Sequence, residues 1–256
     1  MREHSLYTES MSKSIWDKGF FMDKIENATA VIDYGCADGA MIRFLGKLFP
    51  WMQFYGYDMD DEMIALARKQ SVGNNVSFFS RSQLSDLIES VQRAGHASVC
   101  LNLSSVLHEV YSFPENRGMD CISEIVRQLP VTYITIRDMY YHTDCMTIPE
   151  SKLDVILKVD AHYVADFNKK FGSIDQWKNL IHFLMKYQWT RNGWDEEMKE
   201  NYFSWSMDQL LEDLPFGFRV IYENHYLLPH LCYRWYREYG IFIPYIHTHA
   251  QFILTR

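Results

Sequence analysis

The stretch VIDYGCADGAMIRFL, residues 31–45, decides the fold of this chain. A short apolar strand passes Asp33 and Tyr34, a turn with Gly35 and Gly39 follows, and an apolar helix begins. Glycines allow a turn that is tight enough to start a helix, and they leave no side chain to block a ligand. The helix presents free N–H groups and its positive dipole end to the turn. This arrangement is typical of a site for a nucleotide-like ligand.

Strand and helix patterns alternate around this stretch. Residues 14–26 predict a leading helix. Strands are predicted at 29–35, 52–58, 76–80, 97–105 and 131–138, with helical patterns between them. Strands that alternate with helices form a parallel sheet covered on both faces, and their carboxyl ends meet at one edge. The predicted fold class is therefore α/β, with a Rossmann-like, mostly parallel sheet.

The alternation ends at Asp138. Residues 139–210 hold helical patterns at 151–171 and 173–189 and are rich in aromatic side chains, so they predict a helical insertion. Residues 211–256 return to strand patterns. They predict the strands that complete the same sheet as seven strands, the last of them antiparallel.

Composition excludes several classes of protein. The net charge of -8 leaves no basic excess that could neutralise many phosphates, so bulk nucleic-acid binding is disfavoured. The five cysteines are odd in number and have no C-x-x-C spacing, so neither a disulfide framework nor a metal site is expected. The first residues have no apolar signal-peptide core, and no apolar stretch has the length of a membrane span. We therefore expect a cytoplasmic protein without membrane association.

Two interpretations of the glycine turn are open from the residues alone. Asp58 ends the second strand, where a carboxylate can accept both hydroxyls of a ribose. Gly35, Ala37 and Ala40 fit a dinucleotide-binding loop loosely. The Asp33 carboxylate would repel a pyrophosphate, because both groups are negatively charged. The same carboxylate suits a ligand with an ammonium and a sulfonium, and S-adenosylmethionine carries both.

With these residues in place, the chain resembles class I S-adenosylmethionine-dependent methyltransferases. VIDYGCADG, residues 31–39, resembles the first motif of the family, with Ala37 in place of the central glycine. YGYDMDDEMIALAR, residues 55–68, resembles the second motif, and VCLNLSSVLHEV, residues 99–110, resembles the fourth-strand motif. The likeness covers residues 14–138. It implies methyltransferase activity, with S-adenosyl-L-methionine as the cofactor.

The resemblance also implies contacts to the cofactor. The residues that match the family's binding positions are Asp33, Gly35, Cys36, Ala37, Gly39, Asp58, Met59, Asn102 and Ser104. Asp33 and the glycine turn would hold the methionine portion, Asp58 the ribose and Met59 the adenine. The family commonly places an acid after the third strand for the adenine amino group, whereas this chain has Ser80, Arg81 and Ser82. The adenine contact is therefore left open.

Residues for the chemistry follow the fourth and fifth strands. Methyl transfer requires an aligned acceptor and a group that takes its proton. His108 is the candidate catalytic base because imidazole titrates near neutral pH; the alternative is that it caps or packs a short helix. Arg137 and Tyr141 are candidates for substrate binding. The alternative for Arg137 is an ion pair with its neighbour Asp138.

Three functional hypotheses remain. A methyltransferase for a small organic acceptor is the first, with 1–138 as the cofactor-binding half, 139–210 as the cover of the acceptor site, and 211–256 completing the sheet. We expect an enclosed aromatic cavity with Ser104, His108 and Arg137 on its floor. An RNA or other nucleic-acid methyltransferase is the second, based on Arg234 and Arg237 among aromatic residues, a pattern that an ordinary amphipathic helix also produces. The third is a non-catalytic, cofactor-binding partner subunit.

Overall fold

A computed structural model describes residues 15–70, 73–142, 160–190, 193–240, 242 and 246–256. Residues 1–14 and the part of the helix predicted at 151–171 that precedes residue 160 lie outside the described residues. No helix in the part of the chain that the structure describes is long and apolar enough to cross a bilayer.

Seven strands within the described residues form one sheet in the order β3-β2-β1-β4-β5-β7-β6. The strands are β1 (Ala30–Tyr34), β2 (Gln53–Asp58), β3 (Val76–Ser80), β4 (Val99–Ser104), β5 (Val131–Met139), β6 (Arg219–Tyr226) and β7 (His249–Thr255). β1 pairs in parallel with β2 and β4, as do β2 with β3 and β4 with β5. The predicted α/β fold with a mostly parallel seven-stranded sheet is confirmed.

The last strand runs antiparallel to β5. The Tyr140 N–H donates to the Thr248 carbonyl at one end, and the Thr255 hydroxyl donates to the Thr132 carbonyl at the other. Residue numbers therefore rise along one strand as they fall along its neighbour. This direction agrees with the antiparallel last strand that the sequence predicts.

One described helix precedes β1, and the others lie between successive strands. They are α1 (Ile15–Lys18), α2 (Ala40–Leu48), α3 (Asp61–Gln70), α4 (Leu84–Ala94), α5 (Leu107–Ser112), α6 (Gly118–Gln128), α7 (Ala161–Phe171), α8 (Trp177–Tyr187), α9 (Trp194–Glu197), α10 (Met207–Asp213) and α11 (Pro229–Tyr239). The leading helix is much shorter than the predicted 14–26, and turns follow it. Gly19 comes directly after α1, and glycine weakens helix propagation.

The sheet register places polar side chains together at the carboxyl edge. β1 and β4 are buried along their whole length, as expected of strands that are covered on both faces. Asp33 of β1 lies level with Asn102 of β4, and Ser104 of β4 lies level with Arg137 of β5. Four polar residues thus lie near the carboxyl ends of three adjacent strands.

The described residues divide into two compact units. Those within 3–138, 205–223 and 251–256 form the sheet unit, and those within 139–204 and 224–250 form the helical unit. The helical unit has its own aromatic core, in which Phe167 and Trp235 are fully buried. Lys186 is also fully buried there, with its ammonium 3.6 Å from the centre of the Tyr202 ring.

Candidate functional site

The glycine turn has the backbone that its residues require. Gly35 and Gly39 adopt φ angles of 80° and 71°. A Cβ at position 35 would lie 2.7 Å from Cγ2 of Val106, and one at position 39 would overlap the Phe78 ring. Space and backbone angle therefore both demand glycine at these two positions. The turn leads directly into the amino end of α2.

Ala37 stands in the same turn with a φ of 47°. This left-handed conformation costs a non-glycine residue about 1–2 kcal/mol. The family resemblance expects glycine at this position, and the φ angle gives the physical reason.

Ala37→Gly should therefore leave the free energy of unfolding unchanged or raise it by up to about 1 kcal/mol, because relief of strain offsets the entropy that glycine loses on folding. Ala40→Gly, in the first turn of α2, is the matched control and should lower that free energy by about 0.5–1 kcal/mol. Chemical denaturation measures both. Equal losses for the two variants would show that Ala37 carries no strain.

Asp58, at the end of β2, is hydrogen-bonded to the backbone of the glycine turn. Its Oδ2 accepts the Ala37 N–H at 2.7 Å, and its Oδ1 accepts the Asp60 N–H at 2.9 Å. Burial raises the pKa of this carboxyl, and the two backbone donors oppose that rise. The structure thus joins Asp58 directly to the turn. Met59 follows it and is half-buried.

A buried polar row crosses β1, β4 and β5. The Asn102 amide donates to Asp33 Oδ1 at 2.7 Å, and the Thr135 hydroxyl donates to Asn102 Oδ1 at 3.0 Å. Burial raises the pKa of Asp33 to about 6, although the Asn102 hydrogen bond and the charge of Lys18 lower it. Asn102 therefore orients the Asp33 carboxylate, which is only 3% exposed.

Five charged residues meet beside this row. Lys18, Arg137 and Asp138 are buried, and Arg137 donates from Nε to Asp17 Oδ2 at 2.7 Å. Lys18 feels the charges of the other four: burial and Arg137 lower its pKa to about 8, whereas Asp33, Asp138 and Asp17 raise it. Three carboxylates thus face two cations. The cluster carries an excess of one negative charge when all five are ionised.

Arg137 has two described hydrogen-bond partners within the protein. It pairs with Asp17 of α1 and donates from Nη1 to the Ser105 hydroxyl at 3.1 Å. Asp138 instead pairs with His108. Neighbours on a strand point to opposite faces of the sheet, which disfavours a direct pair between Arg137 and Asp138.

His108 lies at the start of α5 and is held by Asp138. Its Nδ1 is 2.7 Å from Asp138 Oδ1, and its backbone N–H donates to Oδ2 of the same carboxylate at 3.0 Å. His108 is 5% exposed and Asp138 is fully buried. When Nδ1 carries the proton of the neutral imidazole, it donates a hydrogen bond to the Asp138 carboxylate. Nε2 is then the ring nitrogen that can accept a further proton. Nε2 is 3.9 Å from Glu109.

A small cleft of about 20 Å³ lies at the glycine turn. Its lining includes Lys18, Asp33, Gly35, Cys36 and Ser104. The Ser104 hydroxyl is buried without a hydrogen-bond partner among the described residues, which is costly unless a ligand satisfies it. The cleft therefore offers the carboxylates of Asp33 and Asp38, an ammonium and an unsatisfied hydroxyl. Cys36 is buried there, and burial raises the pKa of its thiol.

The adenine side of the site has no acid directly after β3. Ser80 and Gln83 form a capping box for the short 3₁₀ turn that follows the strand. Tyr57, Met59 and Arg81 line a cavity of about 570 Å³ whose other walls come from α4 and α6. These residues border the space next to Asp58.

Tyr141 and the Arg/aromatic stretch lie in the helical unit. The Tyr141 ring is 5.7 Å from that of Phe203 and packs against the aromatic core. Leu231, Trp235 and Tyr239 form the buried face of α11, so that helix is amphipathic. A second cavity, of about 710 Å³, is lined by Tyr226, Leu227, Pro229, Cys232, Tyr233, Tyr236, Phe242 and His247.

Sequence reasoning missed Lys18 and the role of Asp138. The sequence does contain an indication for Lys18. It lies three residues after Ile15, so this lysine shares the apolar face of α1. The Asp138 contact had no signal in the sequence, because it depends on how α5 docks on the end of β5.

Comparison with solved structures agrees with this architecture. A SAM-dependent methyltransferase from Anabaena variabilis ATCC 29413 superimposes with a TM-score of 0.52 at 14% identity, covering 94% of this chain and 83% of that one. One from Archaeoglobus fulgidus gives 0.52 at 12% identity, covering 99% and 100%. No protein-family model matches the sequence, and no curated protein matches it significantly.

The fold is that of class I S-adenosylmethionine-dependent methyltransferases, as the strand order also indicates. The fold expected from the resemblance is thereby confirmed.

Proposed function

We propose that this protein is an S-adenosylmethionine-dependent methyltransferase that acts on a small organic acceptor. The observation that carries the proposal is the charged cleft at the glycine turn, whose lining includes Asp33, Lys18 and the Ser104 hydroxyl. Asp58 accepts the Ala37 N–H of the same turn. S-adenosylmethionine bears one carboxylate, one ammonium and one sulfonium, for a net charge of +1. The charged residues that line the cleft are Asp33, Asp38 and Lys18, which together carry an excess of one negative charge when all three are ionised.

Each of the predicted cofactor residues is proposed to contact a different part of S-adenosylmethionine. Asp33 would accept the ammonium, Ser104 would satisfy its hydroxyl on the methionine portion, and Asp58 would accept the ribose hydroxyls. Gly35 and Gly39 keep the turn free of side chains. When bound, the cofactor supplies an electrophilic methyl group on its sulfonium.

His108 is proposed as the general base. Asp138 holds Nδ1 and thereby leaves Nε2 as the acceptor for the proton that the acceptor molecule loses. His108 donates two hydrogen bonds to this one carboxylate, which fixes both its ring and its backbone, so the imidazole is preorganised. Arg137 is proposed as a substrate-binding residue that Asp17 and Ser105 hold in place.

A small acceptor is favoured by the character of the helical unit. Its 710 Å³ cavity falls within the range of small-molecule sites and is lined by four aromatic rings, one imidazole and no arginine. A polyanion would instead require a basic groove. Residues 139–210, with Tyr141 among them, are proposed to cover the acceptor.

Isothermal titration calorimetry tests the cofactor. S-adenosylmethionine and its demethylated product should bind, and NADH should not. Asp58→Ala should weaken binding by about 1.5–3 kcal/mol for each charge-assisted hydrogen bond that is lost. Asp61→Ala, on the exposed first turn of α3, is the control and should have no effect. Tighter binding of NADH than of S-adenosylmethionine would rule out the proposed cofactor.

A screen of phenols, carboxylic acids and amines for release of S-adenosylhomocysteine tests the reaction. Turnover with any of them supports the small-acceptor hypothesis. RNA binding that weakens steeply with added salt would favour the nucleic-acid alternative. Good cofactor binding without turnover on any acceptor, RNA included, would favour the non-catalytic partner subunit.

A further inference from the structure

Two imidazoles and a carboxylate meet near the carboxyl ends of β5 and β6. Glu223 and His225 lie two residues apart on β6, so both side chains belong to the same face of that strand. His142 follows the end of β5 by three residues, and its ring stacks on that of His225 with the centres 4.2 Å apart. One nitrogen or oxygen atom of each residue lies within 4.8 Å of those of the other two. Three side chains that can bind a metal ion are thus brought together.

Backbone hydrogen bonds hold the parts of the chain that carry the two histidines. The Tyr140 N–H donates to the Thr248 carbonyl at 3.0 Å, and the Thr248 N–H donates to the Tyr226 carbonyl at 3.0 Å. Tyr140 and Tyr226 are therefore fixed to the same intervening residue. His142 lies two positions after Tyr140, and His225 lies one position before Tyr226. The proximity of the two imidazoles is thus a property of the sheet.

The chemistry of these side chains is that of a transition-metal site. Zn²⁺ binds imidazole nitrogen and carboxylate oxygen in proteins, whereas Mg²⁺ and Ca²⁺ prefer ligand sets made of oxygen alone. Neutral imidazoles add no charge, and the carboxylate of Glu223 supplies part of the negative charge that a divalent ion requires.

Only a small movement of the side chains is needed to close this site on an ion. Ligand atoms on one tetrahedral Zn²⁺ lie about 3.4 Å apart, so atoms within 4.8 Å of one another must approach by no more than about 1.4 Å. The imidazoles would turn out of their stacked arrangement, and the last side-chain torsion of histidine is broad enough to permit this. His142 and Glu223 are exposed, so they have room to rotate.

We propose that His142, Glu223 and His225 bind one divalent transition-metal ion of the zinc type. Three protein ligands leave a fourth position on a tetrahedral ion for water, or for an oxygen or nitrogen atom of a bound molecule. The site goes beyond the proposed function and does not rest on it. The cysteine pattern argues only against cysteine ligands, so it does not bear on this site.

Spectroscopy of the cobalt-loaded protein tests the site. The protein, without a histidine tag, is stripped with a chelator, dialysed and titrated with Co²⁺, which absorbs visible light far more strongly when four-coordinate than when hydrated. The wild-type protein should bind one Co²⁺ per chain and show the intense spectrum. Zn²⁺ should displace the Co²⁺, because it binds more tightly to such ligands, whereas Mg²⁺ and Ca²⁺ should not.

Two variants remove one ligand each. His142→Ala and Glu223→Gln should each weaken Zn²⁺ binding at least about 10- to 100-fold and abolish the intense Co²⁺ spectrum. Both side chains are exposed, and circular dichroism of the metal-free variants checks that they fold. His162→Ala removes an exposed histidine of α7 and is the matched control, which should keep the affinity of the wild type. Zn²⁺ should raise the unfolding temperature of the wild type and the control more than that of His142→Ala.

The results separate a metal site from an ordinary surface cluster. Loss of binding in the two ligand variants, with binding kept in His162→Ala, supports the site. Failure of the wild type to bind one Co²⁺ per chain, a weak six-coordinate spectrum, or equal affinities of His142→Ala and His162→Ala would overturn it. None of these results affects the cofactor assignment, which calorimetry with S-adenosylmethionine tests separately.

Discussion

Replacement of His108 by alanine is expected to lower turnover about 10²–10⁴-fold and to leave the affinity for S-adenosylmethionine nearly unchanged. The physical reason is that the imidazole, fixed by Asp138 at 2.7 Å, would take the proton of the acceptor, whereas the cofactor cleft is lined by other residues. Turnover is measured as S-adenosylhomocysteine formed with an acceptor from the small-molecule screen. Calorimetry gives the affinity.

His96→Ala is the matched control. His96 also belongs to the sheet unit, but its nitrogens bond Thr29 and Tyr55, which lie near the amino ends of β1 and β2. This variant should keep full turnover. Equal activity of His108→Ala and wild type would show that His108 only packs α5.

Asp138→Asn extends the same prediction to the residue that positions His108. The amide can no longer accept two hydrogen bonds from His108 as the carboxylate does, so the imidazole loses the partner that selects its tautomer. Turnover should fall about 10- to 100-fold, with a changed pH profile and an unchanged cofactor affinity. A merely structural role would lower the unfolding temperature and leave the pH profile of the folded enzyme as it was.

Asp33→Asn is expected to weaken S-adenosylmethionine binding about 10- to 100-fold while it stabilises the fold without ligand. The pKa of Asp33 is raised from 3.8 to about 6, so the native state binds this proton more tightly than the unfolded chain does. The ionised carboxylate is therefore unfavourable for folding above pH 6. That cost fades as the pH falls from 6 towards 4.

The asparagine variant should exceed wild type in free energy of unfolding at pH 7.5, and this excess should shrink towards pH 4.5. Denaturation with urea at the two pH values measures the difference, and calorimetry at pH 7.5 measures the affinity. Asp23→Asn, which removes an exposed carboxylate bonded to Lys24, should change neither quantity appreciably. Unaltered cofactor affinity of Asp33→Asn would contradict the ammonium contact.

Local sequence patterns predicted the sheet well because strands and helices depend on periodicity. The predicted strand at 76–80 matches β3 residue for residue, and the predicted strand at 131–138 differs from β5 by one residue. The leading helix is predicted to be longer than it is, because its apolar spacing continues past Gly19, where the backbone turns. The ends of elements depend on capping and docking more than on periodicity.

The sequence by itself determined the class of fold and the residues of the glycine turn. Gly35, Gly39 and Asp58 follow apolar strands at spacings that only a sheet with a common carboxyl edge brings together. Tertiary structure alone decided which charges face each other. Lys18 meets Asp33, Arg137 meets Asp17, and Asp138 meets His108 across many residues of chain. Such pairs depend on how α1 and α5 dock against the strand ends. A local sequence pattern cannot predict which residues this docking brings together.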